Sequence, residues 1–259
     1  MKSDFMIKRN YEYQHYTDDL VTNKDQNFQL SPHYRWIHRN VGYRFISTIV
    51  YYLGFLIGGI YCKYGLHVKI KNREILTPYR HQGYFIYGNH TQPQGDVFAP
   101  MHVLPTRHLY YIASPANLGV PWIGKLLPIG GALPIPTTLR QMRAFMAAIH
   151  WHINHHHVIL IYPEAHVWPY YTKIRPFMAA AFHYPIELDV PSFCITTTYQ
   201  KRRYGSKPQI TLYIDGPFWP DKQLLPKQRQ QKLCQEIHQC MQQRAQQYNN
   251  YEYVHYQKK

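Results

Sequence analysis

Between Arg44 and Lys63 the sequence runs for eighteen residues, Phe45 to Cys62, without a charged side chain. That is near the lower end of the roughly 17–25 apolar residues a helix needs to cross a membrane, and a helix buried in a protein core fits the length less well. Tyr51, Tyr52 and Tyr61 suit the boundary between hydrocarbon and water. Gly54 and Gly58 leave a gap that another helix can enter. Basic residues flank both ends, with Arg35, Arg39 and Arg44 before the run and Lys63, Lys69, Lys71 and Arg73 after it. Charge asymmetry therefore does not orient a span. A helix that dips into one leaflet fits this symmetry better than one that crosses.

The rest of the composition narrows the partner. The chain of 259 residues carries 29 Lys+Arg against 14 Asp+Glu, a formal net charge of +15, which points to nucleic acid or an anionic membrane surface. No recognition helix, zinc framework or aromatic RNA-binding signature is present, and an uncharged run has no place in such a module, so no nucleic-acid partner is expected. A content of 45% apolar and 16% aromatic residues excludes a disordered chain. Cys62, Cys194, Cys234 and Cys240 form no CxxC pair. They are read as packing residues in a reduced, intracellular setting.

Beyond the hydrophobic run, short apolar stretches alternate with helical patterns. Val68–Ile70, Tyr84–Tyr87, Leu109–Ala113, Val158–Tyr162, Phe193–Thr197 and Ile210–Ile214 read as strands. The fold class expected is therefore α/β, a mostly parallel central sheet flanked by helices. Thr138 and Gln141 make a capping box for a helix with Met142, Phe145, Met146, Ile149 and Ile153 on one face. Near the end, residues 227–247 keep Leu233, Ile237, Met241 and Ala245 on one side of an amphipathic helix. Residues 1–43 read as a polar, basic, loosely ordered arm, 44–65 as the hydrophobic membrane-associated helix, 66–218 as the catalytic domain and 219–259 as the amphipathic helix and tail.

The sharpest local feature follows the Tyr84 strand, where the chain continues Asn89-His90-Thr91-Gln92-Pro93-Gln94-Gly95-Asp96. Ligands collect at the carboxyl ends of parallel strands. A histidine there can take a proton from a hydroxyl, and a carboxylate on its other ring nitrogen fixes the tautomer and stabilises the imidazolium. The Val158 strand ends in Pro163-Glu164, bringing another carboxylate to the same edge, and Lys173 and Arg175 follow as cations for an anionic substrate. His150, His152, His155, His156 and His157 crowd a helix end, yet lack a His-Glu-x-x-His spacing. They are read as a solvated helix end with no metal.

From Arg44 to Gly216 the order of these blocks resembles the lysophospholipid acyltransferases, whose best-known members are the 1-acylglycerol-3-phosphate acyltransferases. The blocks are the hydrophobic helix, Asn89-His90 to Asp96, Gly119-Val120-Pro121-Trp122-Ile123-Gly124 to Pro136, Tyr162-Pro163-Glu164, and Val190-Pro191. The resemblance implies a membrane-bound O-acyltransferase that moves a fatty acyl group from acyl-CoA or acyl carrier protein to a hydroxyl of lysophosphatidic acid, in phospholipid biosynthesis. It implies His90 as general base, Asp96 as its partner and Glu164 as a carboxylate shaping the acceptor site. No cofactor is expected beyond the acyl donor. Membrane lipids are the other partners, and the place is the cytoplasmic face of the cell membrane, peripheral or monotopic, with the acyl chain in an apolar groove reaching His90.

The chain departs from the family pattern in three places. One residue more than usual separates His90 from Asp96, and the Pro93–Gly95 turn must absorb it. Where the family carries Glu-Gly-Thr-Arg, this chain reads Glu164-Ala165-His166-Val167, and Thr137 stands where an arginine usually ends the preceding block. Arg140, Arg143, Lys173 and Arg175 are the candidates to hold the acceptor phosphate instead. Other readings are an acceptor with a different head group, lipid or sugar, or a relative that has lost catalysis.

Overall fold

The computed structural model describes residues 9–21 and 28–259. Seven strands share one sheet: β2 (Val68–Lys71), β3 (Tyr84–Gly88), β4 (Leu109–Ala113), β5 (Ala132–Pro134), β6 (Val158–Ile161), β7 (Ser192–Gln200) and β8 (Gln209–Phe218), in the spatial order β2-β8-β7-β3-β6-β4-β5. The block from β7 to β5 is parallel throughout. β8 turns back antiparallel on β7, and β2 pairs parallel to β8. The fold is α/β with a mostly parallel central sheet flanked by helices, as the alternation of patterns predicts. Strand β5 lacks a sequence signal because it is three residues long and touches only β4.

Strands buried on both faces read as unbroken apolar runs, and β3 and β6 are of this kind. Phe85, Tyr87, Ile159 and Ile161 face one layer, where α4 (Leu139–Asn154) and α6 (Pro226–Tyr248) cover them. Tyr84, Ile86, Val158 and Leu160 face the other, against Leu66, Leu76, Val103 and Leu104. Leu233, Ile237, Met241 and Ala245 of α6 are all buried. In α4 the buried side is Phe145, Ala148, Ile149, His152 and Ile153, while Met142 is exposed. Thr138 caps this helix through Gln141 N, but the Gln141 side chain accepts from Thr137 and donates to Ser31 O. The reciprocal box is thus displaced by one residue.

The hydrophobic run forms α1 (Val41–Ile60) and continues as a π-helical turn to Leu66. It lies along the domain. Ser47 Oγ donates to Ile129 O, Tyr51 is buried and bonds Arg107 O and Leu109 N, and Gly58 and Gly59 pack on Phe98 and His102. The opposite side carries Phe45, Ile46, Ile49, Leu53, Leu56, Ile57 and Ile60, all exposed, with Phe45, Leu56 and Ile57 above 60%. The short helix α3 (Ile123–Ile129) packs beside α1, and Trp122 and Leu126 are exposed there. Among the described residues Gly54 meets nothing within 4 Å, so of the two glycines in the small-residue spacing only Gly58 makes a close approach there.

The described part of residues 1–43 is not loose. Strand β1 (Asn10–Tyr13) pairs parallel with β9 (His255–Lys258) at the other end of the chain. Trp36 is buried and donates to Pro134 O at 2.8 Å. The polarity of the arm hid this because its anchors are isolated aromatic residues with no period.

Candidate active site

His90 sits just past the carboxyl end of β3, at the edge of the sheet where the parallel strands end. Its backbone is tied on both sides. The N–H donates to Glu164 Oε2 at 2.9 Å, and the carbonyl accepts from Trp168 N at 2.9 Å. Asn89 before it is buried and clamps β3 to β7, its amide accepting from Thr197 N and donating to Thr197 O. The ring stacks on Tyr162, with centroids 4.4 Å apart and planes 13° apart. Only glycine at position 88 permits that approach, since a Cβ there would lie 2.6 Å from the tyrosine ring.

The extra residue between histidine and aspartate is taken up in the turn before α2 (Gly95–Phe98), whose first turn carries Asp96. His90 Nδ1 then lies 2.7 Å from Asp96 Oδ2, and the same oxygen accepts Gln92 N at 2.9 Å. Burial raises the Asp96 carboxyl above its ordinary value, with the His90 hydrogen bond and charge and the Gln92 N–H pulling the other way. Tyr162 donates its hydroxyl to Asp96 O at 2.6 Å, and burial keeps that phenol protonated. Among the described residues nothing bonds Nε2 of His90, and the side chain is 24% exposed. An imidazole held at Nδ1 by a carboxylate and open at Nε2 can accept a proton there and return it.

Glu164 and Arg175 do not join this opening. Arg175 N donates to Glu164 Oε1 at 2.8 Å and its Nη2 to Oε2 at 2.9 Å, with both side chains almost fully buried. The guanidinium also reaches His166 O and Tyr16 O and lies over the Trp168 ring. The pair is an internal brace that fixes the backbone of His90: both Glu164 oxygens are engaged by His90 N and Arg175, and Arg175 Nε, without a hydrogen-bond partner among the described residues, is buried. Arg140, Arg143 and Lys173 are exposed, and among the described residues none makes a hydrogen bond or ion pair with His90 or Asp96. Arg140 and Arg143 share the carboxyl edge, but α4 follows β5, three strand spacings from β3, on the order of 14 Å.

Tyr162 and Asn89 lie inside the blocks read from the sequence, where nothing separates a stacking or clamping side chain from its neighbours. The cavity behind Asp96, lined by Leu66, Ala99, Tyr162, Ile195 and Leu212, measures about 10 Å³, room for one water. The histidine cluster differs from a solvated helix end. His152 is buried and its Nδ1 lies 3.0 Å from that of His157. Elsewhere Cys194, Asp215 and Cys240 come within ligating reach of one another, but Arg244 already holds both oxygens of Asp215. All four cysteines are free, and three are buried.

The family model described as Acyltransferase matches residues 67–198, just over half of the chain and every residue of the His90–Asp96 pair and its brace. The chain belongs to the acyltransferase family. No curated protein sequence matches it. Among solved structures, the acyltransferase fold is shared with the 1-acyl-sn-glycerophosphate (LPA) acyltransferase PlsC from Thermotoga maritima, at a TM-score of 0.53 and 12% identity, over 83% of this chain and 87% of that one. The acyltransferase is thus similar in fold to a protein with which it shares few residues.

Proposed function

We propose that this acyltransferase moves a fatty acyl group from acyl-CoA or acyl carrier protein to the free hydroxyl of a lysophosphatidic acid-type acceptor, with His90 as general base. The observation that carries the reading is the 2.7 Å contact of His90 with buried Asp96, with Nε2 left open. His90 takes the acceptor's proton at Nε2 as the hydroxyl oxygen attacks the thioester carbonyl. The tetrahedral intermediate collapses, the C–S bond breaks and the imidazolium returns the proton to the departing thiolate. Asp96 holds the ring and stabilises its charge between those two events. No acyl-enzyme forms, so no activated Ser or Cys is required.

The membrane enters through α1. Burying seven exposed Phe, Leu and Ile side chains is worth on the order of 10 kcal/mol, and a contiguous apolar stripe of this kind marks an interaction surface. Because α1 is docked along the domain by its other side, the reading is a monotopic helix half-sunk in one leaflet. The cytoplasmic face is proposed, where each cation near the anionic surface adds about 1 kcal/mol.

The test supplies labelled acyl-CoA or acyl carrier protein to the full chain in vesicles with a panel of hydroxyl acceptors, and follows thiol release. Lysophosphatidic acid should be acylated, and His90→Ala should lower the rate about 10²–10⁴-fold. Turnover by the alanine variant at the parent rate would exclude His90. A second reading, an acceptor with no phosphate, is favoured by the burial of Arg175 and by Val167 at the usual arginine position. Acylation of such an acceptor in preference to lysophosphatidic acid would replace the first.

A further inference from the structure

Away from His90, along edge strand β5 and towards the amino ends of β4 and β6, lies a second cavity of about 180 Å³. Arg35, Arg44, His38, His108, His152 and His157 line it, and among the described residues no lining residue is acidic. Neither arginine has an ion-pair partner among the described residues. His152 is 3% exposed, and its Nε2, like that of His108, is buried without a hydrogen-bond partner. The neutral pair His152 and His157 shares one proton across the two Nδ1 atoms, so the accepting ring carries its hydrogen on Nε2. With His152 accepting, that hydrogen is a buried donor with no acceptor, a costly state. Burial first, and neighbouring cationic and imidazole groups second, push His108 and His157 down to about 4 and His152 to about 3. A pocket with arginines beside buried imidazole nitrogens suits an oxyanion.

Its position says where the oxyanion comes from. Arg44 stands in the first turn of α1, a turn with no acidic residue, where the helix dipole already favours negative charge. The next residues, Phe45 and Ile46, belong to the exposed apolar face. A phosphate held at Arg44 therefore sits where acyl chains would run alongside α1. At roughly 30 Å³ for a water, the cavity has room for a phosphate group.

We propose that this cavity binds the phosphate of an anionic phospholipid, gripped by Arg35 and Arg44 with His152 as a buried donor, and so fixes the amino end of α1 at the headgroup layer. The lipid source rests on the reading that α1 lies in a leaflet; the anion chemistry does not.

The experiment titrates the full chain with dihexanoyl phosphatidylglycerol, dihexanoyl phosphatidylcholine and inorganic phosphate by calorimetry and by the shift of thermal midpoint, for the parent and for Arg35→Gln with Arg44→Gln. Flotation with neutral vesicles reports attachment through α1 separately. Phosphatidylglycerol should bind the parent and raise its midpoint, and binding should weaken roughly tenfold or more in the double variant. Acyl transfer to a soluble acceptor should not change. Equal binding of the two lipids, or of parent and variant, overturns the site. Inorganic phosphate binding as tightly as phosphatidylglycerol overturns the lipid assignment. Arginine-dependent phosphatidylglycerol binding by a chain that floats with no vesicle supports the anion site and refutes the membrane reading instead.

Discussion

At the scale of single residues, the two carboxylates near His90 have opposite tasks. Asp96 is held above its ordinary ionisation range by burial, so its charged form costs stability at every pH above the folded value, and the cost fades as pH falls through that value towards the unfolded one. Asp96→Asn should therefore unfold no lower than the parent at neutral pH, with the difference closing on acidification, while turnover drops about 10²-fold or more. Thermal melts across pH beside a rate assay check both halves, and a variant that melts well below the parent would show the carboxylate to be a stabilising brace. Glu164→Gln should do the reverse. It leaves the Arg175 charge buried and unpaired, at about 3–5 kcal/mol, read as a lower urea midpoint. Parent-like stability with a raised KM for a phosphate acceptor would instead return Glu164 to the substrate. The His90 to Asp96 contact was legible because a strand end, a turn and a carboxylate stand in one short block. The Glu164 to Arg175 brace was not, since a carboxylate and a cation eleven residues apart read equally well as two substrate ligands.

At the scale of elements, the apolar run of α1 shows what hydropathy conveys and what it omits. Length and composition fixed a helix there, but not which stripe it buries. Ser47, Tyr51 and Gly58 are small or bear a hydroxyl, and they face protein. The larger aliphatic side chains face outwards, the reverse of a soluble amphipathic helix. Phe45→Gln with Ile49→Gln should thus leave the fold intact and weaken vesicle binding by about 3 kcal/mol or more, measured by flotation. Unchanged flotation would mean that the attachment lies elsewhere. Within the sheet the boundaries of β2, β3, β4 and β6 followed apolar runs closely, whereas β7 and β8 run on to Gln200 and Phe218, beyond the apolar stretches Phe193–Thr197 and Ile210–Ile214. Strands β1, β5 and β9 escaped because they are short and polar or proline-bounded, and only their partners make them strands.

At the scale of the molecule, residues far apart in the chain meet around Trp168. Tyr256 of β9 stacks on its indole with centroids 5.3 Å apart and donates to Pro169 O at 2.8 Å, and Tyr13 of β1 meets it edge-on. Removing residues 255–259 should speed hydrogen exchange across 166–171 and leave α4 unaffected; equal exchange in both proteins would deny the linkage. Because Trp168 N–H bonds the carbonyl of His90, the seam of β1 and β9 works as a handle. Whatever peels it apart, from outside and without entering the cleft, slackens the corner on which the imidazole is mounted.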